Sequence, residues 1–540
     1  MTTQSWREAA WREVETPWDI VVVGGGITGV GVLNEAARRG LRVLLLEQSD
    51  FASGASSRSS KLVHGGLRYL AQGALRLTWL SVRERDRLLA ELPGLVEPVG
   101  FLLAAYGRDR VGPRLLELGL TIYDFLGRGL RHRNLEEQDL SLLAPRLDLR
   151  NLAGAFWYRD ARTDDARLVL RTLFEAVSRG AQALNRVRVE ELTFRDGQVA
   201  GLVVRDLETG QVARVSAKAV VNATGAWADA LRATVGGQPA IRPLRGSHLL
   251  FPRWRLPVAQ AVAFRHQLDG RPLFAYPWEG LTLLGTTDRD HRGSLEDPVI
   301  SAEEATYLVE AARAAFPGLE LRVSDAVSTY AGVRPVVGSG VVDPSKESRE
   351  HVIWNERGLL TVTGGKLTAF RPIARDALKA LEQAHPSLRR KVDGSPRFFG
   401  PPAASSGVVD AALGRRLEGR YGAWTSALCQ AAQPGELKRV GETDTLWAEL
   451  RWAARAERVV HLEDLLLRRV RLGLLLPEGG REHLPRIRAL CQQELGWDER
   501  RWVEEEAAYL EGWQRHHRPP SVAARAGAAP GRVSPATATT

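Results

Sequence analysis

The first strongly patterned segment, Trp18 to Gly29, reads WDIVVVGGGITG: an apolar, β-branched run ending in glycines. It predicts a buried strand that turns at once into a helix. The helical pattern VGVLNEAARRG stops at Gly40, and a second apolar strand, LRVLLLEQ, follows. Further on, Leu184 to Val204 and Gln211 to Val215 alternate like antiparallel strands, broken by turn signals at Asp196-Gly197 and Glu208-Thr209-Gly210. AKAVVNATGAWAD is a buried strand ending at Gly225, and Arg242 to Thr329 is strand-like again in RGSHLLFP, PLFAYPWEG and LTLLGTTD. Gly358 to Leu381 reads as strand, Gly-Gly turn and helix, whereas Val408 to Trp513 has helical periodicity throughout.

The first of these units is a β-α-β of roughly thirty residues, the size a nucleotide-binding half requires. Within it Gly24, Gly26 and Gly29 form G-x-G-x-x-G, and Glu47 lies 23 residues after the first glycine, at the end of the second strand. The glycines permit close backbone approach, the helix N-terminus faces a pyrophosphate, and the carboxylate takes ribose hydroxyls. A glutamate there argues against a 2′-phosphate. The β-meander returning to the parallel sheet suits flavin folds better than simple nicotinamide domains.

Composition narrows the setting. With 44% hydrophobic and 26% charged residues the chain is ordinary globular material, and 540 residues call for two or three domains. No apolar run reaches the roughly 18 residues of a spanning helix, and MTTQSWREAAWREVE is no signal peptide, so the expectation is a cytoplasmic protein. Cys429 and Cys491 read as reduced structural thiols. The net charge of +10, part of it from Arg515, Arg518, Arg525 and Arg532 in the tail, suits an anionic substrate, an anionic lipid surface or nucleic acid. No platform of interleaved aromatic and basic residues supports a nucleic-acid partner. No HExxH or CxxC spacing implies a metal.

Between these elements stands ASSRSSKLVHGGLRYL, Ala55 to Leu70, unusually polar and positive for its place after a strand. Together with DIVVVGGGITGVG, ATGAWAD, LRGSHLLFP, LLGTTD, AGVRPV and TVTGGKLTAFRPIA, in that order over residues 18 to about 380, it closely resembles the FAD-dependent, respiratory sn-glycerol-3-phosphate dehydrogenases. The resemblance implies an α/β protein: an FAD-binding Rossmann-like domain of the glutathione-reductase type, a D-amino-acid-oxidase-like β-sheet cap and an α-helical C-terminal domain. We expect an N-terminal extension at 1–17 and an FAD-binding region at about 18–90, 150–240 and 325–400. The cap would occupy 91–149 and 241–324, a linker 401–407, the helical domain 408–513 and a disordered tail 514–540. The implied reaction oxidises sn-glycerol 3-phosphate to dihydroxyacetone phosphate and passes electrons to quinone, with the enzyme held peripherally on the cytoplasmic face of an anionic membrane. It leaves room for a homodimer.

The chemistry needs a hydride acceptor, a base and cations for a phosphate. Arg68, Arg334 and Arg349 resemble family positions that bind substrate or product, with Tyr69 beside Arg68 and Thr287 in the same set; guanidinium forks suit a phosphate. Histidine is the natural base, and of eleven only His64 and His248 sit in motifs. Which of the two takes the proton stays open. Lys366, after Gly364-Gly365, can reach flavin or substrate. Cofactor contacts are expected from Gly24, Gly26, Gly29, Glu47, Ser57, Lys61, Val189, Gly225, Gly332, Gly365, Lys366, Leu367 and Thr368, the last two opening a helix whose positive end suits a reduced flavin. Tyr106 to Asn134 mixes arginines with an apolar face and could lie in a membrane interface. The rivals are an oxygen-using glycerol-3-phosphate oxidase, an amine or amino-acid oxidase of the same fold and, from another class, an FAD-linked RNA-modifying or RNA-binding protein.

Overall fold

The structure, a computed structural model, describes residues 3–521 except 72, 108–110, 128–130, 339, 342–346, 348–349, 391–396 and 406–408. Two sheets organise it. The first has eight strands, with Trp18–Val23 between the parallel strands Val212–Asn222 and Val43–Leu46. Val22 is in register with both Leu45 and Val221. These strands are apolar on both faces because both are covered, one by helices and the other by the antiparallel strands Val187–Arg195 and Gln198–Asp206 with the N-terminal helix. Helices Ile27–Ala37, Asp165–Val177 and Phe370–Ala384 supply one such layer and share a core with the sheet. The expected meander is the pair Val187–Arg195 and Gln198–Asp206, feeding back into Val212–Asn222.

The second sheet has ten strands and forms the cap. One face packs on helix Ala302–Ala315, while Phe101, Leu103 and Tyr158 on the other look into the cavity described below. Three strands expected in the FAD-binding region, Leu62–Val63, Leu152–Thr163 and Ser328–Val337, are hydrogen-bonded into this sheet instead. Ser328–Val337 pairs with Ile241–Pro252 from Val337↔Ile241 to Ser328↔Leu250. The motif AGVRPV misled because it belongs to both: its hydrogen bonds are the cap's, while Gly332 to Pro335 line the cofactor side.

The C-terminal region is helical, including Ala411–Tyr421, Trp447–Ala456, Leu484–Leu495 and Glu499–His516. Its last helix runs past the expected end of order, and His517 Nδ1 lies 2.8 Å from the Thr329 carbonyl. The remainder of the expected tail, 522–540, lies outside the described residues. The N-terminal extension is helical at Thr3–Arg12, and Arg7 forms a 2.8 Å ion pair with Asp206. Cys429 and Cys491 are free and buried.

Candidate active site

A cavity of about 1480 Å³ lies between the two sheets. Its first wall is the turn after Trp18–Val23. A Cβ on Gly29 would sit 1.9 Å from the Gly24 carbonyl oxygen, so only glycine lets the helix start so close to the strand. Gly29 therefore acts by packing, while Gly24 and Gly26 face the cavity. Ile27 N donates to Ser56 Oγ at 2.9 Å. Glu47 accepts from Gly25 N at 2.6 Å and Ser49 N at 2.8 Å; burial raises its pKa against the pull of those two amides.

Val189, Gly225, Gly332, Gly365, Lys366, Leu367 and Thr368 all line the same cavity. A 3-10 turn, Leu367–Ala369, leads into the helix Phe370–Ala384, so a second helix start faces the space. The groups fit FAD: a glycine-lined helix N-terminus for the pyrophosphate, a carboxylate at the strand end for ribose, and a second helix start toward the ring.

Besides Gly29, two expected cofactor contacts do not reach the cavity. Lys61 is fully buried, its Nζ 2.8 Å from Asp165 Oδ1 and 2.9 Å from the Ser57 carbonyl, below the rings of Trp278 and Tyr330. Burial, then the neighbouring Arg471, pushes its pKa down to about 8. Ser57 likewise turns inward, and Ser53, Ser56, Ser59 and Ser60 supply the polar wall instead. A serine-rich motif gives no way to tell which serines face out.

The substrate end is built on His64, Tyr69 and Lys366. Lys366 Nζ sits 3.5 Å from the centre of the Tyr69 ring, and the His64 and Tyr69 rings lie nearly parallel at 6.4 Å. Burial first, then the charges of Lys366 and Arg85, push the His64 pKa down to about 3, so the ring is neutral. Arg334 enters from the cap, donating to Asp288 Oδ1 at 2.8 Å and Thr286 Oγ1 at 3.1 Å. Arg271 reaches the same Asp288 at 3.2 Å.

Thr287 and His248 depart from expectation. The Thr287 hydroxyl bonds Glu304 at 2.7 Å inside the cap, and its neighbours Thr286 and Asp288 face the cavity. These three residues form the link between strands Leu281–Gly285 and Arg289–Asp290, outside any regular alternation, so the motif alone does not tell which of them faces the cavity. His248 is fully buried, stacked on Tyr330 at 4.6 Å with Nε2 2.9 Å from Ser60 Oγ. It supports the wall rather than forming it. Arg349 and the side chain of Arg68 lie outside the described residues.

Sequence reasoning missed Asp160, Arg271 and Asp288. Asp160 lines the cavity beneath the His64-Gly65 backbone, accepting from Gly65 N at 3.1 Å, Arg85 at 3.0 Å and Tyr123 at 2.9 Å. A lone acid in the apolar strand AFWYRDA was the available signal, since a buried charge needs partners. Among the described residues, no cluster of three His, Cys, Asp or Glu could hold a metal.

Residues 19–371 match the FAD dependent oxidoreductase family, and 378–502 match the C-terminal domain of alpha-glycerophosphate oxidase. An aerobic glycerol-3-phosphate dehydrogenase of Staphylococcus haemolyticus (strain JCSC1435) is 34% identical over 480 residues, covering 84% of this chain and 86% of that protein. The chain belongs to the FAD-dependent glycerol-3-phosphate dehydrogenase family. The Bacillus subtilis (strain 168) enzyme of that name is 37% identical over 390 residues, covering 71% of this chain and 69% of its own. The crystal structure of the Bacillus halodurans glycerol-3-phosphate dehydrogenase, complexed with FAD, aligns at TM-score 0.77 and 28% identity, covering 95% of this chain and 98% of that one. An L-alpha-glycerophosphate oxidase from Mycoplasma pneumoniae, at TM-score 0.57 and 18% identity over 71% of this chain and 97% of its own, shares the fold. The family's cofactor is FAD.

Proposed function

We propose that the protein oxidises sn-glycerol 3-phosphate to dihydroxyacetone phosphate and delivers the electrons to quinone. The observation that carries the substrate reading is that the His64, Tyr69 and Lys366 cluster and, from the cap, Arg334 line one FAD-sized cavity. FAD, when bound, supplies the hydride acceptor.

Arg334 and Lys366, with Arg68 and Arg349 from the sequence reading, hold the phosphate dianion and orient carbon 2. His64 takes the hydroxyl proton as the hydride leaves carbon 2 with its electron pair, turning the alcohol into a ketone. Cavity access favours His64 over His248 for this step. A depressed pKa makes His64 a weak base in the empty site, but a bound dianion offsets the cations that depress it and raises its basicity.

The acceptor reading rests on the cavity's apolar lining: Phe101, Leu103, Leu116, Tyr158 and Phe274 form a wall beside helix Pro113–Leu126, suited to a hydrophobic, planar acceptor. That helix exposes Leu115, Leu118, Ile122 and Phe125, with Leu75 and Trp79 exposed on the helix Leu75–Glu91 that packs against it. Such a face supports peripheral contact with an anionic bilayer on the cytoplasmic side, where a lipid-soluble acceptor resides. Among the described residues no helix is long and apolar enough to cross a membrane. The homodimer is the alternative occupant of this face, and sedimentation without vesicles separates the two.

Anaerobic addition of glycerol 3-phosphate should bleach the flavin absorbance, while glycerol and D-amino acids should not; a flavin that stays oxidised sinks the substrate assignment. Turnover with a quinone analogue should exceed turnover with oxygen, and the reverse would make the protein an oxidase.

A further inference from the structure

Among the described residues the C-terminal helical region contributes nothing to the cavity lining, yet three of its arginines reach the segment from Asp50 to Ser57 that carries part of that lining. They come from one short segment: a π-helical turn, Leu465–Arg469, followed by Arg471 in a left-handed conformation at φ 62°. Arg469 bonds Asp50 through Nη1 at 2.6 Å and Nη2 at 2.9 Å, and Arg468 also pairs with Asp50. Arg471 Nη2 donates to the Ser57 carbonyl at 2.9 Å and to Asp165 Oδ1 at 2.7 Å. Asp50 precedes the serine-rich wall and Ser57 lies within it, so one segment holds that wall at two points.

The grip continues through Asp165. Its Oδ1 also accepts from Lys61 Nζ at 2.8 Å, and its Oδ2 accepts from Ser59 N at 3.0 Å and Ser59 Oγ at 2.7 Å. Lys61 itself is left-handed at φ 53°, a conformation that a non-glycine residue keeps only when its surroundings over-determine it. The charged members of this node are buried: Arg471 is 2% exposed, and Lys61 and Asp165 are at 0%.

We propose that Arg471 is a positioning residue for FAD, setting the geometry of the cofactor-facing loop from Ser56 to Ser60 through Ser57 and Asp165. It touches no reacting atom. Its Nη1 donates to the Leu467 carbonyl at 2.7 Å, fixing the guanidinium to its own turn, while Nη2 joins Lys61 Nζ on the same two acceptors, so the loop is held by two cations and loses one of them without Arg471. The proposal rests on the reading of this cavity as the FAD site.

The experiment compares the full-length wild type with Arg471→Met and Arg471→Lys, using Arg439→Ala, an exposed C-terminal pair with Asp444, as the control. FAD is titrated into deflavinated protein by fluorescence quenching, and visible flavin spectra and steady-state constants are taken at saturating FAD. Arg471→Met should bind FAD about ten- to a hundredfold more weakly, the scale set by losing charge-assisted hydrogen bonds. Arg471→Lys should recover part of that loss, and Arg439→Ala should match wild type. KM for glycerol 3-phosphate at saturating FAD should change less than about twofold, since Arg471 lies outside the substrate end. A lower melting temperature with unchanged FAD affinity in Arg471→Met would overturn the proposal, leaving a merely structural ion pair. If Arg471→Met does not fold, Ser59→Ala cuts the same node inside the FAD-binding domain, and unweakened FAD affinity there overturns it equally. Wild type that fails to take up FAD sinks the cofactor reading itself, a distinct outcome.

Discussion

Tyr123 and Asp160 are joined by a 2.9 Å hydrogen bond that ties the helix Pro113–Leu126 to the floor of the active site. Asp160 Oδ1 holds the Gly65 amide, and a Cβ on Gly65 would lie 2.3 Å from the Tyr123 hydroxyl oxygen. The histidine-bearing backbone and the surface helix are therefore in direct contact. Tyr123→Phe should lower stability by about 1–2 kcal/mol, the loss of one hydrogen bond to a buried carboxylate. It should also slow flavin reduction by glycerol 3-phosphate, read by stopped-flow absorbance. Asp160→Asn should cost more, about 3–5 kcal/mol, because Arg85 loses its buried counter-charge. Unchanged reduction in Tyr123→Phe would uncouple the helix from His64.

Arg334 shares Asp288 with Arg271, so removing it does not strand the carboxylate. Arg334→Ala should fold and should raise KM for glycerol 3-phosphate about ten- to a hundredfold, as expected for a lost charge-assisted contact. Steady-state kinetics with glycerol 3-phosphate and a dye acceptor test this. A KM equal to wild type removes Arg334 from the phosphate site.

Stability should fall on both sides of neutrality, by different histidines. Burial holds His64 and His517 down to about 3 and His248 well below its ordinary value, so all three stay neutral in the folded protein. As pH drops below the unfolded value near 6.5, the unfolded chain gains their protons first, and each costs up to about 1.4 kcal/mol per pH unit. His461 runs the other way: despite burial, Glu208 and Glu505 raise it to about 9. Its contribution is complete below about pH 6.5 and fades as pH rises toward 9. Urea titrations from pH 5 to 9 should show His461→Gln flattening only the alkaline side. Loss on the acid side would overturn the assignment.

Phe125 is 88% exposed and Leu115 60%. Replacing Phe125 and Leu118 together by Glu should abolish co-sedimentation with anionic phospholipid vesicles while leaving turnover with a soluble dye within about twofold, since neither side chain meets the cavity. Equal binding by wild type and variant would move the membrane contact elsewhere.

Much of this architecture was legible because local signals and global fold agreed. The run WDIVVVGGGITG could only be a buried strand feeding a helix start, and Gly24, Gly26 and Glu47 face the cavity as the spacing requires. What failed to read was side-chain phase and long-range pairing. Nothing in SSRSSK separates Ser59, which faces the cavity, from Lys61, whose partner Asp165 is over a hundred positions away. Thr287 and Thr286 differ by one step along the chain and point to opposite sides. Asp160, Arg271 and Asp288 became visible only when the cap sheet brought distant strands together.

The loop around Ser59 and Ser60 is owned by three parts of the chain at once. Asp165 holds it from the nucleotide-binding domain, Tyr330, Tyr276 and His248 hold it from the cap, and Arg471 holds it from the helical region. None of these parts can open without disturbing a hydrogen bond that another relies on. Removing the cofactor should then loosen the loop's anchors in all three parts together, and hydrogen exchange in the deflavinated protein should quicken in step at Ser59–Ser60, Tyr330 and Arg471.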